Sequence, residues 1–349
     1  MNCLFVAFKN SNTVVLTYIT ALKQLVISSS LSYSVTESRR YGNGDNFYIH
    51  RIQVNTSVNG NMNINGRDVL IKPLTNVSTL QVIGCTCPFE HPSAIGQARA
   101  LMKDIKLTDD DVILSTGDLT YLDWIPGVEV KPANSFDNLT NRFCKQMTHP
   151  AWRPIFWNST NDFTPYLIPV LDDHDYWKDN SKTAFNPNKA DMLDFYRFIF
   201  AADLHTNIAG TMSRVVDLGN LKVFCQDDIF TNQFSRPSTD TLSIYLTPRI
   251  PYSFKAKDSA AVIREDVSTF GVNKTRLLTL SGNPHRSYAY KTPEDFTMCV
   301  SSGFMNANAG EADYQKNLIF DSQRDIQNKR SWVRVNIASN TFSLVLKSA

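Results

Sequence analysis

Leu171-Asp172-Asp173-His174-Asp175-Tyr176-Trp177 is the stretch that decides how this chain is read. It follows the apolar run Tyr166-Leu167-Ile168-Pro169-Val170. That run has the composition of a buried strand, with Pro169 implying an irregular or edge position. Three carboxylates around one histidine repel one another unless cations neutralise them. A solvated acidic turn needs neither the histidine nor the apolar strand before it. The segment therefore reads as a metal-binding or catalytic strand end.

Three more apolar runs end in residues of metal-ligand type. Leu80-Gln81-Val82-Ile83 leads into Gly84-Cys85-Thr86. Val112-Ile113-Leu114 leads into Ser115-Thr116-Gly117-Asp118, then Leu119-Thr120-Tyr121-Leu122-Asp123. Leu277-Leu278-Thr279-Leu280 leads into Ser281-Gly282-Asn283-Pro284-His285. A glycine before a carboxylate lets backbone and metal approach closely. One aspartate can give an oxygen to each of two cations, and such a pair clamps the attacking and leaving oxygens of a phosphoryl group. Asn283 offers a neutral oxygen and His285 an imidazole nitrogen. Taken singly, Asp118 and Asn283 also fit ordinary turns, and Cys85 a small buried apolar residue. Ligands of open α/β sheets bind beyond the carboxyl ends of strands, which is where all four segments fall.

The rest of the chain supplies the frame. Residues 1–75 alternate apolar and polar positions between Asn-Gly and Gly-Asn turns, so a small N-terminal β-sandwich domain is expected there. Residues 76–349 mix strands with helical stripes at Ile95, Ala98, Leu101, Met102 and Ile105, and at Met192, Phe195, Tyr196 and Ile199. Strands dominate the final third. The expected class is α/β, with packed sheets and helices outside.

Taken in order, these segments resemble the alkaline phosphatase D (PhoD-like) family of metallophosphoesterases. Gly117–Asp123 is similar to that family's G-D-x-x-Y-x-D, Leu171–Tyr176 to its D-D-H-D/E, and Ser281–His285 to its S-G-D-x-H. Cys85 resembles the cysteine of its early S-C motif. The hairpin at Asp217-Leu218-Gly219-Asn220 and the strand end Ser301-Ser302-Gly303 also fit. The resemblance spans most of 76–349. It implies a metallophosphoesterase-like four-layer αββα sandwich after the N-terminal domain, and hydrolysis of phosphate esters by a metal-bound hydroxide. It implies calcium together with iron, or other divalent metals. Cys85, Asp118, Tyr121, Asp173, Asn283 and His285 would be the metal ligands. His174, with Asp118 and Asp173, would carry the catalysis, His174 steadying the phosphoryl oxygens or protonating the leaving oxygen. Asp123, Asp172, Asp175 and Arg286 would orient ligands or bind substrate.

The chain departs from that pattern in two places. Asn283 stands where the family has an aspartate. Phe224-Cys225-Gln226-Asp227-Asp228-Ile229 lacks the family's arginine, whose role would fall to Arg286 or Arg236. Both departures favour a second reading: a weakened or inactive protein of assembly, for example a virion component, meeting its partners through the N-terminal β-domain.

Composition excludes several classes. The 35 Lys+Arg and 33 Asp+Glu give a net charge of +2, and no basic run forms a nucleic-acid-binding patch. Six cysteines are too sparse for a disulfide scaffold. The start, MNCLFVAFKNSN, lacks the pattern of a signal peptide, although members of the family are usually exported, so no compartment follows. The apolar stretch from Thr13 to Ser28 is broken by Lys23 and Gln24 and is too weak for a membrane span.

Overall fold

Runs of Val, Ile, Leu and Tyr, buried on both faces, build the parallel strands at the centre of the molecule. The structure is a computed structural model. It describes residues 2–42, 46–84, 112–122, 135–156, 164–176, 188–227, 236–237, 241–248, 271–282, 287–292, 295–301, 318–322, 325, 331–338 and 340–348.

Among the described residues, the first sheet has nine strands. Their spatial order is β20 (Thr341–Ser348), β19 (Ser331–Ala338), β8 (Thr79–Ile83), β9 (Val112–Thr116), β10 (Tyr166–Val170), β1 (Asn2–Lys9), β2 (Thr13–Thr20), β5 (Phe47–Asn55) and β4 (Ser32–Tyr41). From β8 through β1 the neighbours are parallel, and the flanking pairs are antiparallel. The second sheet has eight, in the order β11 (Thr206–Asn207), β12 (Arg214–Asp217), β13 (Lys222–Cys225), β14 (Ser243–Thr247), β15 (Leu277–Ser281), β17 (Thr297–Val300), β16 (Tyr288–Lys291) and β18 (Leu318–Asp321). A small third sheet joins β3 (Ile27–Ser29), β6 (Gly60–Ile64) and β7 (Arg67–Ile71).

The β-rich N-terminal region is thus present. Its long strands extend the first sheet through β1, which pairs with β10, and the third sheet packs on the same core as that sheet. Pro169 lies in an internal strand rather than at an edge. It is tolerated because β1 reaches β10 only at Val6 and Tyr166, leaving that flank without a ladder further on.

One core fills the space between the two large sheets, joining Val82, Leu114 and Ile168 to Ile244, Leu278 and Cys299. The other face of the first sheet packs Phe5, Ile113 and Leu167 against the apolar faces of α1 (Phe136–Met147) and of a later helix, Lys189–Ile199. Met192, Phe195, Tyr196 and Ile199 are the buried stripe of that later helix, as their spacing requires. The outward face of the second sheet is also buried, with Tyr245, Tyr288 and Tyr290 in a third cluster. That is the surface a fourth layer covers in an αββα sandwich. The helical stripe expected at Ile95–Ile105 lies outside the described residues. Among the described residues, no helix is long and apolar enough to cross a membrane. Cys3, Cys144, Cys225 and Cys299 are buried free thiols, and burial pushes all four up.

Arg51 of β5 fastens the N-terminal strands to the helix Lys189–Ile199. Its Nε donates to Phe198 O at 2.7 Å, and its Nη2 donates to Arg197 O and Asp203 Oδ1, both at 2.8 Å. Its guanidinium also lies 4.7 Å from the Phe198 ring centre. Arg51→Met removes these donors and is expected to lower unfolding free energy by about 2–4 kcal/mol in urea titrations.

His205 packs its ring on Phe8 at 5.0 Å. Burial first, and the Arg214 charge second, push its imidazole down to about 3. An unfolded histidine titrates at about 6.5, so between that value and 3 the unfolded chain holds a proton that the folded chain does not. Stability is full above that window. It falls as pH drops through it, by up to about 1.4 kcal/mol per pH unit from this residue. Urea titrations of the wild type and of His205→Gln at pH 7 and pH 5 are expected to show the smaller loss in the variant.

Candidate metal centre

Parallel pairing of β9 with β10 sets Thr116 opposite Val170, so the two chains leave the sheet side by side. Gly117 and Asp118 follow β9 with φ of 105° and 50°. Two successive left-handed residues turn the chain sharply, and aspartate is among the few side-chain residues that tolerate this region. A Cβ on Gly117 would come within 3.0 Å of Asp172 Cβ and 3.1 Å of Pro248 Cβ, so only glycine lets the two strand ends and the second sheet close together.

One carboxylate staples the two exits. Asp175, in the single turn of helix Asp173–Tyr176, accepts from Leu119 N at 3.1 Å, Thr120 N at 2.5 Å, Thr120 Oγ1 at 3.0 Å and Asp172 N at 3.1 Å. Leu122 N donates to His174 O at 2.9 Å, and Asp173 N to Asp172 Oδ1 at 2.9 Å. Gln146 of α1 grips the backbone of Tyr121 from both sides. Its Oε1 accepts from Tyr121 N, and its Nε2 donates to Tyr121 O, each at 2.7 Å.

Three side chains are thereby brought together. Ligand atoms of Asp118, Asp173 and His174 all lie within 4.8 Å of one another. Both carboxylates are buried and the imidazole is half-buried. Tyr121 Oη donates to Asp118 Oδ2 at 3.0 Å, and its ring lies 4.3 Å from that of His174. The electrostatics are those of crowded acids in a dry site. Burial first, and the Asp118 carboxylate second, push Asp175 up to about 7 against the pull of its hydrogen bonds. Two oxygen donors and one nitrogen donor form a set that suits a divalent cation, and a cation there offsets the repulsion among the acids.

The second sheet presses on this site from the other side. Thr116 Oγ1 donates to Ser301 O at 2.7 Å and to Ile83 O at 3.2 Å, while Ser301 Oγ donates to Val82 O at 2.7 Å. Gly282 N donates to Pro248 O at 3.1 Å. A Cβ on Gly282 would lie 2.1 Å from Thr116 O, so the end of β15 rests directly on the end of β9.

No protein-family model matches the sequence, and no curated protein does either. Solved structures do match. PhoD superposes with a TM-score of 0.62 at 12% identity, over 99% of this chain and 88% of that one. The purple acid phosphatase PPD1 from yellow lupin (Lupinus luteus) seeds superposes with a TM-score of 0.60 at 13% identity, over 99% of this chain and 71% of that one. The fold is metallophosphoesterase-like.

Within this metallophosphoesterase-like frame, Asp118, Tyr121, Asp172, Asp173, His174 and Asp175 converge at one end of the sheets. Cys85, Asp123, Asn283, His285 and Arg286 lie outside the described residues. Two placements add to the sequence reading. Tyr121, considered there as a metal ligand, here hydrogen-bonds Asp118. His174, considered there as a substrate-facing group, shares the donor set of Asp118 and Asp173. Sequence reading missed Gln146. Its one signal is a polar residue amid the apolar stripe Leu139, Phe143 and Met147 of α1.

Proposed function

We propose that this chain is a metal-dependent phosphoric ester hydrolase, a phosphodiesterase or phosphomonoesterase of PhoD-like type. The observation that carries the reading is the convergence of Asp118, Asp173 and His174 at the carboxyl ends of β9 and β10. Asp118 and Asp173 would hold the metal, with Cys85, Asn283 and His285 completing the set, and Asp118 reaching two ions. Calcium with iron is the pair the PhoD resemblance implies. When bound, the metal supplies positive charge that polarises the phosphoryl oxygens and the attacking water.

The remaining work falls to the chain's own side chains. Tyr121 orients the Asp118 carboxylate through its hydroxyl. Asp175 fixes the spacing of the two strand exits. His174 is held by Leu122 N on its carbonyl and by the Tyr121 ring on its face, with its half-buried imidazole turned to the donor set. From there it would steady a phosphoryl oxygen or deliver a proton to the leaving oxygen. Arg286, which follows β15 in the sequence, would bind the phosphate.

The test is release of nitrophenol from bis-p-nitrophenyl phosphate at mildly alkaline pH, with calcium or iron added and chelator as control. Hydrolysis that chelator stops and that His174→Ala lowers sharply supports the reading. Folded protein that gives no metal-dependent hydrolysis turns the proposal to its second form, an assembly protein on the same fold.

A further inference from the structure

β10 carries the Asp172–His174 turn, yet only one neighbour holds it along its length. β9 pairs with all of Tyr166 to Val170, whereas β1 touches it at Tyr166 alone. Pro169 has no N–H to offer a partner. Its carbonyl is engaged by the other sheet instead: Arg214 Nη2 donates to Pro169 O at 2.8 Å. Arg214 opens β12, is 1% exposed, and donates its Nη1 to Met212 O at 3.1 Å. It forms no ion pair with a described residue. A buried guanidinium held only by carbonyls carries a desolvation cost, and an apolar residue of similar volume commonly packs as well or better. Stability alone does not account for an arginine here.

The same segment is also anchored to the end of β13. Met212 N donates to Asp227 Oδ2 at 2.8 Å, and Asp227 N donates to Ser213 Oγ at 3.0 Å. Residues 212–214 therefore hold the carbonyl of Pro169, three residues before the Asp172–His174 turn, and are themselves fixed by Asp227.

We propose that Arg214 is a positioning residue of the metal centre, its tether on Pro169 setting where the Asp172–His174 turn stands relative to Asp118. This rests on reading that centre as a metal site. Groups that orient metal ligands from behind typically change metal affinity by about 10–100-fold when removed.

The experiment titrates calcium and, separately, manganese into the full chain by calorimetry, alongside thermal unfolding of the metal-free protein. Arg214→Met is expected to bind metal about 10–100-fold more weakly while its metal-free melting temperature holds or rises. Arg214→Lys, which keeps one donor for Pro169 O, is expected to fall between. Where hydrolysis is measured, excess metal is expected to restore kcat with KM unchanged. A melting temperature that falls while metal affinity stays at the wild-type value makes Arg214 merely structural and overturns the proposal. Should Arg214→Met not fold, wild-type affinity in Arg214→Lys overturns it as well. Wild-type protein that takes up neither ion overturns the metal reading and this inference together. Metal bound equally by wild type and Arg214→Met overturns the tether alone.

Discussion

Asp118→Ala is expected to lower metal-dependent hydrolysis of bis-p-nitrophenyl phosphate by about 10³-fold or more. Two things vanish with the carboxylate. The donor set with Asp173 and His174 loses an oxygen, and the hydrogen bond from Tyr121 Oη to Asp118 is lost. The fold should survive. An alanine at a φ of 50° costs about 1–2 kcal/mol, while removal of one charge from a group of buried acids relieves repulsion. Asp118→Asn keeps the shape and tolerates the left-handed backbone, so it isolates the charge. Both variants are expected to melt within a few degrees of the wild type without metal and to lose most of the stabilisation that added metal gives it. Activity retained in either one refutes the proposed role of Asp118.

Gly282→Ala is expected to be the most damaging small substitution among the glycines described. Its Cβ would stand 2.1 Å from Thr116 O and 3.0 Å from both Thr116 C and Thr116 Oγ1. Nothing flexible is there to yield. Thr116 ends β9, which is held by β8 on one side and β10 on the other, and its hydroxyl is engaged by Ser301 O. Either β15 or β9 must move. The expected loss is about 3 kcal/mol or more, read as a shift of the urea midpoint or as insoluble protein. Gly66→Ala is the control. No atom lies within 4 Å of its added Cβ, and its φ of 82° leaves backbone strain alone, about 1–2 kcal/mol. Equal effects at the two positions would mean the strand ends are not in contact as described.

What the sequence revealed and what it concealed follow from the same physics. A parallel strand buried on both faces must be apolar throughout, and polar residues then gather where it ends. Leu171–Tyr176 and Ser115–Asp118 were legible for that reason. Strand alternation marked residues 1–75 as β-rich without singling out β1, which is buried along most of its length rather than alternating. It could not reveal that β1 joins the first sheet, because that union rests on the single pairing of Val6 with Tyr166, remote in sequence. Pro169 advertised an irregular strand, and only the fold shows its carbonyl taken by Arg214. The contact of Gly282 with Thr116 and the grip of Gln146 on Tyr121 arise between elements. No local pattern encodes them.

The place of β1 also bears on how the chain acquires its structure. The β1–β2 and β4–β5 hairpins, and the pairing of β2 with β5 that joins them, all lie within the first 55 residues and can form as soon as those residues exist. The pairing that joins them to the parallel strands awaits Tyr166, and the outer pairing of Val82 with Val333 awaits nearly the whole chain. Closing loops of that length is slow, since their entropy must be lost before distant contacts reward it. During synthesis this unit therefore waits with its β1 edge unpaired as well as its β4 edge, the state in which sheets are most open to joining the wrong neighbour.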